Sequence, residues 1–307
     1  LTFGEFFKEY GERYGQQKKS WASMQSNYKH LESLANRKLS AITREMIARI
    51  LSDLTKAGRA DGTITNVRAF ISGIYSKAIE WGYASANPVV GIKTNPKVKR
   101  DRFLQADELP RFFQSLAEES NIAMRDFILL ALLTGARRAN LMAMRWQEVN
   151  LDEGVWRIPV TKNGTPQNVT LSPEALLILQ QRKKEADKQA VFVFPADSES
   201  GHITEPKDAV ARVMRRAGIP YGRKAENGAT LHDLRRTLGS WQAKTGASLA
   251  IIGKSLNHKN IQSTMIYARL DLDPVRASVN TATAAMMEAA GLKQPAEVLP
   301  IKSNTAA

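Results

Sequence analysis

From Thr2 to Trp81 the apolar residues recur every three or four positions, a period that admits helices and little else. Phe3, Phe6, Phe7, Tyr10 and Tyr14 form one stripe in TFGEFFKEYGERYG, which opens with the capping-box pair Thr2 and Glu5. A second helix is expected from about Ser20, with Trp21, Met24, Tyr28 and Leu31 on its apolar side. Met46, Ile47, Ile50, Leu51 and Leu54 define a third helix that stops at Gly58. Val67, Phe70, Ile71, Ile74, Ala78 and Trp81 define a fourth that stops at Gly82. Pro88 in SANPV closes this helical unit, which is placed at residues 1–92.

The pattern then lapses. GIKTNPKVKRDRF carries Lys93, Lys97, Lys99, Arg100 and Arg102 with almost no apolar content, so residues 93–103 read as an exposed basic linker. Such a run is either a solvated strand of charge or a contact to a phosphate backbone. A second domain is expected over 104–285. It opens with the helical segments DELPRFFQSLAEE and AMRDFILLALLTG and the charged ARRANLMAMRW. In VWRIPVTKNGTPQNVTL the period changes: two short extended runs flank Asn163-Gly164, a tight-turn signal, and Pro159 suggests an exposed sheet edge. Helical patterns resume at SPEALLILQQRKKEA, EPKDAVARVMRRAG, LHDLRRTLGSWQAKTG, LAIIGKSL and IQSTMIYARL. Residues 286–307, ending in KQPAEVLPIKSNTAA, read as a tail. The fold class is therefore mostly α with a small antiparallel β element, in two domains.

Charge narrows the partner. The 307 residues include 44 Lys and Arg against 30 Asp and Glu, a formal +14, with a sequence pI near 9.9. That balance points to a polyanion. No apolar run reaches membrane-spanning length, which favours nucleic acid over a membrane. Cysteine is absent, which excludes disulfides, thiolate metal sites and cysteine nucleophiles, and His30, His202, His232 and His258 match no metal-ligand spacing. Neither metal nor cofactor is expected. The chain begins at Leu1 with no visible signal peptide, so a cytoplasmic protein, trimmed at its N-terminus, is expected.

Four segments gather reactive side chains: TGARRANL with Arg137, VTKNGTP with Lys162, LHDLRRT with His232 and Arg235, and LNHKNIQSTMIYARL with His258 and Tyr267. Each has an ordinary reading: a surface arginine pair, a turn charge, an exposed helix start, a half-buried helix tyrosine. Together they suit phosphate chemistry. Two guanidiniums offer paired donors to the non-bridging oxygens of a phosphodiester and stabilise the charge that grows on them. A phenol can attack phosphorus if a histidine accepts its proton, and a lysine on a hairpin can return a proton to the departing alkoxide.

These segments resemble the tyrosine recombinases, the phage-integrase family. Thr134-Gly135-Ala136-Arg137, Lys162, His232-Asp233-Leu234-Arg235, Leu256-Asn257-His258 and Tyr267, nine positions after His258, stand in the family's order. The resemblance runs from about Leu1 to Leu270. It implies that Arg137, Arg235 and His258 bind the scissile phosphate, that His232 assists proton transfer, that Lys162 protonates the 5′-hydroxyl leaving group, and that Tyr267 forms a 3′-phosphotyrosyl bond without metal or ATP. It also implies a helical core-binding domain and an α-rich catalytic domain clamped on duplex DNA, and a homotetramer on paired attachment sites in a bacterial cell. DNA-bending and excision-directing accessory proteins are further implied partners. Length and starting point suggest the integrase of a prophage or integrative element without its N-terminal arm-binding domain.

Two positions depart from the family pattern. Asn140 stands where an acidic residue is usual three positions after the first arginine, which leaves the guanidinium's charge unneutralised. Asn257 replaces the glycine of L-G-H, a milder change because Asn is the next best residue for a left-handed turn. The alternatives are a type IB topoisomerase-like nicking and relaxing enzyme, and a non-catalytic DNA-binding regulator of the same fold.

Overall fold

The computed structural model describes residues 1–96, 100–159, 164–267 and 273–290. The chain divides into two compact units, Leu1–Arg100 and Asp101–Ala307. Both are mostly helical. No helix of the described residues is long and apolar enough to cross a membrane.

In the first unit, helix α1 (Phe3–Tyr10) starts at a complete capping box. Glu5 N–H donates to Thr2 Oγ1 at 3.2 Å, and Thr2 N–H donates to Glu5 Oε2 at 2.8 Å. The helix then widens into a π turn over Gly11–Gly15, which the apolar stripe did not signal. Its cause is steric: the Trp21 indole lies against both glycines, where an added Cβ would sit 2.7 Å and 2.5 Å from the ring. Helix α2 (Trp21–Tyr28) tightens into a 3₁₀ turn, Lys29–Leu34, that buries Leu31 and Leu34. Helices α3 (Arg44–Lys56) and α4 (Asp61–Glu80) pack on each other and are followed by Gly58 and Gly82, both in left-handed conformation. Phe3, Phe6, Ile47, Val67, Ile71 and Ile74 are fully buried in one core.

The second unit is built round helix α6 (Ile122–Thr134), which follows α5 (Glu108–Ala117). Helix α6 packs against α7 (Arg138–Met142), α8 (Pro173–Glu185), α9 (Lys207–Arg216) and α10 (Leu231–Lys244). A helix with that many neighbours is apolar nearly all round, and Phe127, Ile128 and Leu130 are completely buried. Strands β1 (Val149–Asn150), β2 (Val155–Ile158) and β3 (Gln167–Thr170) form an antiparallel sheet in that order, with Trp156 paired to both Val149 and Val169. Two extended runs were legible in the sequence, and β1, only two residues long, was not. Pro159 follows β2, the central strand, whose last residues Arg157 and Ile158 pair with β3 alone, so the sheet is open on the β1 side there, and the strand ends one residue before the missing N–H would interrupt a ladder. Gly164 has φ +75°, while Asn163 lies outside the described residues.

Helix α11 (Leu249–Ser255) follows α10, and α12 (Asp273–Ala289) ends the described chain. The expected catalytic-domain end at residue 285 falls inside α12. Of the segment IQSTMIYARL, the described residues 261–267 do not form the expected α-helix: Ile261–Ser263 is a single 3₁₀ turn followed by a further turn, and residues 268–270 lie outside the described residues. Asn260 explains the difference, because its side chain accepts from Gln262 N–H at 2.9 Å and closes the backbone locally.

Arg102 also corrects the linker reading. Its guanidinium donates to Glu108 Oε2 at 2.7 Å and Oε1 at 2.5 Å, to Phe103 O, and to Asn227 O at 2.7 Å. With both partners largely buried, this is a packing clamp of the second unit, with too few free donors to hold a phosphate. Lys93 is exposed and Arg100 half-buried, whereas Lys97 and Lys99 lie outside the described residues.

Candidate active site

Three helix ends position the site. At the first, Gly135 (φ +57°) terminates α6 and turns the chain so that Arg137 becomes the residue before α7. A Cβ on Gly135 would lie 2.8 Å from Leu256 and 2.9 Å from Leu238, so neither backbone strain nor space admits a larger residue. At the second, Thr230 and Asp233 form a capping box at the start of α10, which presents His232 on the first turn and carries Arg235 into the interior. At the third, α11 ends in a Schellman turn. Asn257 N–H donates to Lys254 O at 3.1 Å and His258 N–H to Gly253 O at 2.9 Å, with Asn257 at φ +48°. Asparagine in place of glycine thus still makes the turn that aims His258.

Those ends are tied together by two guanidiniums. Arg235, 4% exposed, donates from Nη1 to Gly135 O and from Nη2 to Leu256 O, the last carbonyls of α6 and α11. Arg137 Nη2 donates to the next carbonyl, Asn257 O, at 2.9 Å. Helix C-termini carry orphan carbonyls and partial negative charge, so they hold arginines without neutralising them. Among the described residues no carboxylate pairs with either, and Arg137 Nη1 is buried with no hydrogen-bond partner. Asn140 supplies no charge: its Nδ2 is likewise buried without an acceptor among the described residues.

The electrostatics follow from that concentration of cations. Burial, then the nearby Arg137, brings Arg235 down to about 10, and burial lowers Arg137. His258 is pushed down to about 4 by burial and by Arg235, Arg137 and His232, so its imidazole is neutral at neutral pH. Its Nδ1 lies 3.0 Å from Thr264 Oγ1. His232, exposed on the first turn of α10, is also held below its ordinary value, by desolvation first and then by Arg236 and Arg235.

Tyr267 completes the cluster. Its ring is 4% exposed, packed on Ile252 and Leu256, and nearly parallel to the His258 ring at 6.3 Å between centroids. Burial raises its pKa, while Arg235 and Arg236 oppose the rise. Sequence reasoning missed Gly239. A Cβ there would lie 2.6 Å from Tyr267 Cζ and 2.9 Å from Leu256, so this glycine opens the slot in α10 that receives the ring. A lone glycine inside a helical pattern was the available signal. Gln167 was missed too; from β3 its Nε2 donates to Ser255 O at 3.0 Å and ties the sheet to α11.

The structure thus gathers Arg137, His232, Arg235, His258 and Tyr267, drawn from segments up to 130 positions apart in the sequence. Lys162 lies outside the described residues. A model of the phage integrase family matches residues 102–273, more than half of the chain and all five gathered residues. The chain belongs to the phage integrase family. Among curated relatives of this integrase, the prophage integrase IntF of Escherichia coli is 29% identical over 182 residues, 58% of this chain and 37% of the relative. The integrase of Salmonella phage P22 is 28% identical over 198 residues, 62% of this chain and 49% of the relative. The chain therefore spans less than half the length of either. Its fold is shared with a lambda integrase dimer bound to a COC′ core site (TM-score 0.71, 20% identity, 86% of this chain and 97% of that one). It is also shared with the Tn1549 transposon integrase in complex with circular intermediate DNA (TM-score 0.73, 15% identity, 91% and 99%).

Proposed function

We propose that this integrase is a site-specific DNA recombinase that cleaves and rejoins duplex DNA through a 3′-phosphotyrosyl intermediate. One observation carries the reading: Arg235, buried near Tyr267, and the half-buried Arg137 sit on helix-end carbonyls, with no carboxylate among the described residues to cancel them. Burial of uncompensated cations is costly unless an anion completes the site. A phosphodiester supplies it, and the unused donors of Arg137 fit its non-bridging oxygens.

The chemistry then balances. Tyr267 Oη attacks phosphorus, the bond to the 5′-oxygen breaks, and the phenolic proton passes to His232, whose depressed pKa leaves it free to accept. Arg137, Arg235 and His258 bind the phosphate as charge accumulates on its equatorial oxygens. Lys162 returns a proton to the leaving 5′-oxygen, and reversal of the same steps by another strand's 5′-hydroxyl rejoins DNA without ATP. Lambda integrase, which shares the fold, is known as a tetramer bound to a Holliday junction, which supports a homotetramer on paired attachment sites here. The same reading places the protein on DNA in the bacterial cytoplasm, with DNA-bending and excision-directing accessory proteins as partners.

The test is covalent capture. A nicked duplex that loses a short 5′-terminal fragment on cleavage traps an SDS-stable adduct, and strand exchange between two labelled sites then separates a recombinase from an enzyme that only nicks and relaxes. No adduct from the wild-type chain on any library duplex would overturn the reading. For Lys162, a bridging 5′-sulfur substrate restores cleavage to Lys162→Ala if the lysine is the acid; equal impairment on both substrates would assign it to binding.

A further inference from the structure

Between α9 and α10 the chain makes a loop, 221–229, whose base is fixed from several directions. Gly222 N–H donates to Ala229 O at 2.8 Å, Ala229 N–H to Pro220 O at 2.7 Å, and Gly228 N–H to Ala225 O at 3.0 Å. Gly222 and Asn227 hold left-handed conformations, and a Cβ on Gly228 would lie 2.1 Å from Gly222 O. From outside, the Arg102 clamp reaches Asn227 O, so a buried ion pair braces the loop as well. Above this base, residues 223–227 are exposed. Arg223 and Lys224 stand on that tip, and Glu226 is the loop's only acid. Neither cation has an ion-pair partner among the described residues.

Position gives these charges meaning. Arg223 is close enough to His232 to oppose its protonation. Tyr221, at the loop's base, lies within electrostatic reach of Arg138, the exposed residue that follows Arg137, and of Lys207, itself paired to Glu205. The loop also runs directly into Thr230, the N-cap of α10, whose first turn presents His232, so it borders the cluster round Tyr267 on the His232 side. A mobile surface lysine loses rotamer and backbone freedom when it binds; a braced loop has already lost most of its backbone share, so a contact made there is more favourable.

We infer that loop 221–229 is a phosphate clamp, in which Arg223 and Lys224 take backbone phosphates of the duplex flanking the bond that Tyr267 attacks. The inference rests on the proposed phosphodiester cleavage and says where the substrate continues beyond the reacting group.

The experiment uses the full chain and a random-sequence duplex of about three helical turns. Binding is measured against salt for the wild type, Arg223→Ala, Lys224→Ala and the double variant, with folding checked by circular dichroism. Each phosphate contact contributes roughly −0.9 to the slope of log K against log salt, so each single variant should flatten it by about 0.9 and the double variant by about 1.8. Glu226→Gln should tighten binding at low salt. In the non-covalent complex with a duplex that carries the attacked site, formed by the Tyr267→Phe chain, replacing the phosphates beside the attacked one with neutral methylphosphonates should weaken binding, and with the double substitution added the same replacement should weaken it no further. Unchanged slopes in the variants, with a wild-type chain that still forms the adduct, overturn the clamp alone. A wild-type chain that forms no adduct overturns both the clamp and the cleavage reading.

Discussion

The second unit treats its arginines in two ways. Away from the site they meet carboxylates: Arg102 binds Glu108, Arg182 binds Asp126 at 3.2 Å, and Arg212 binds Glu119 at 2.8 Å with Arg216 at its other oxygen. At the site, Arg137 and Arg235 meet only carbonyls. The first arrangement is closed, since each charge is cancelled and each fork largely filled. The second is held in place yet unfinished, because carbonyl dipoles orient a guanidinium but leave its net charge for a ligand. A residue type alone therefore does not distinguish a binding cation from a structural one; what it is paired with does.

The largest effect expected is at the group those open cations serve. Tyr267→Phe keeps the ring that packs on Ile252 and Leu256, so it should bind DNA and form no covalent adduct at all; an SDS-stable band from this variant would break the assignment. Next, Arg235→Ala and Arg182→Ala should fail in opposite ways. Arg235→Ala should slow adduct formation by about a hundredfold to a thousandfold, as loss of a transition-state donor does. Arg182→Ala should lose about 1.5–3 kcal/mol of stability, since it removes one of the two arginines on Asp126 and the donors on Val193 O, while the folded fraction cleaves at the wild-type rate. Single-turnover capture and denaturant titration of both variants read the contrast. If Arg182→Ala impairs chemistry in folded molecules, the division between closed and open arginines fails.

Gly239→Ala sharpens the site further. Its methyl must displace either Tyr267 or Leu256, so about 1–3 kcal/mol of stability should be lost to overpacking, with slower capture. A variant that melts and cleaves like the wild type would show that the slot does not hold the ring.

The smallest effect is a pH dependence that separates the two regions. His258 binds a proton more weakly folded (about 4) than its ordinary value of 6.5, so the unfolded chain takes up the proton first and stability contributed by the neutral ring is lost as pH falls from 6.5 towards 4. Glu119, held low by Arg212, contributes stability above its ordinary 4.5 and loses it only below that value. Acidification should thus loosen the open site before the closed pair. In denaturant titrations, His258→Asn should flatten the dependence between pH 6.5 and 4.5, whereas Glu119→Gln should alter it below 4.5.

Where the gathered residues are contiguous, their placement was legible from the chain alone. Thr134 to Arg137 and His232 to Arg235 each span one helix end, and the turn at Asn257 is written in its own side chain. What failed was whatever depends on distant partners. Arg102 looked like a free linker charge because Glu108 and Asn227, which claim it, are recognisable only once folded. The π turn after α1 answers to Trp21, and the slot at Gly239 answers to Tyr267. Tyr267 itself lies in turns although its neighbours carry helical spacing, since local bonds of Asn260 and burial of Thr264 outweigh periodicity.

Arg235 reaches back 100 positions to Gly135 O, and Arg137 reaches forward 120 to Asn257 O. Closing loops of that size costs chain entropy before any contact offsets it, so these links form after the local helices in folding. A nascent chain that has not yet been translated past Asn257 lacks two of the carbonyls that seat the guanidiniums, and it lacks the phenol as well. An unfinished or half-folded copy therefore holds no complete cluster. Pulse-labelled hydrogen exchange would read this as late protection at the start of α7 and the end of α11. The order of synthesis keeps the reagent and its holder apart until the whole unit is present.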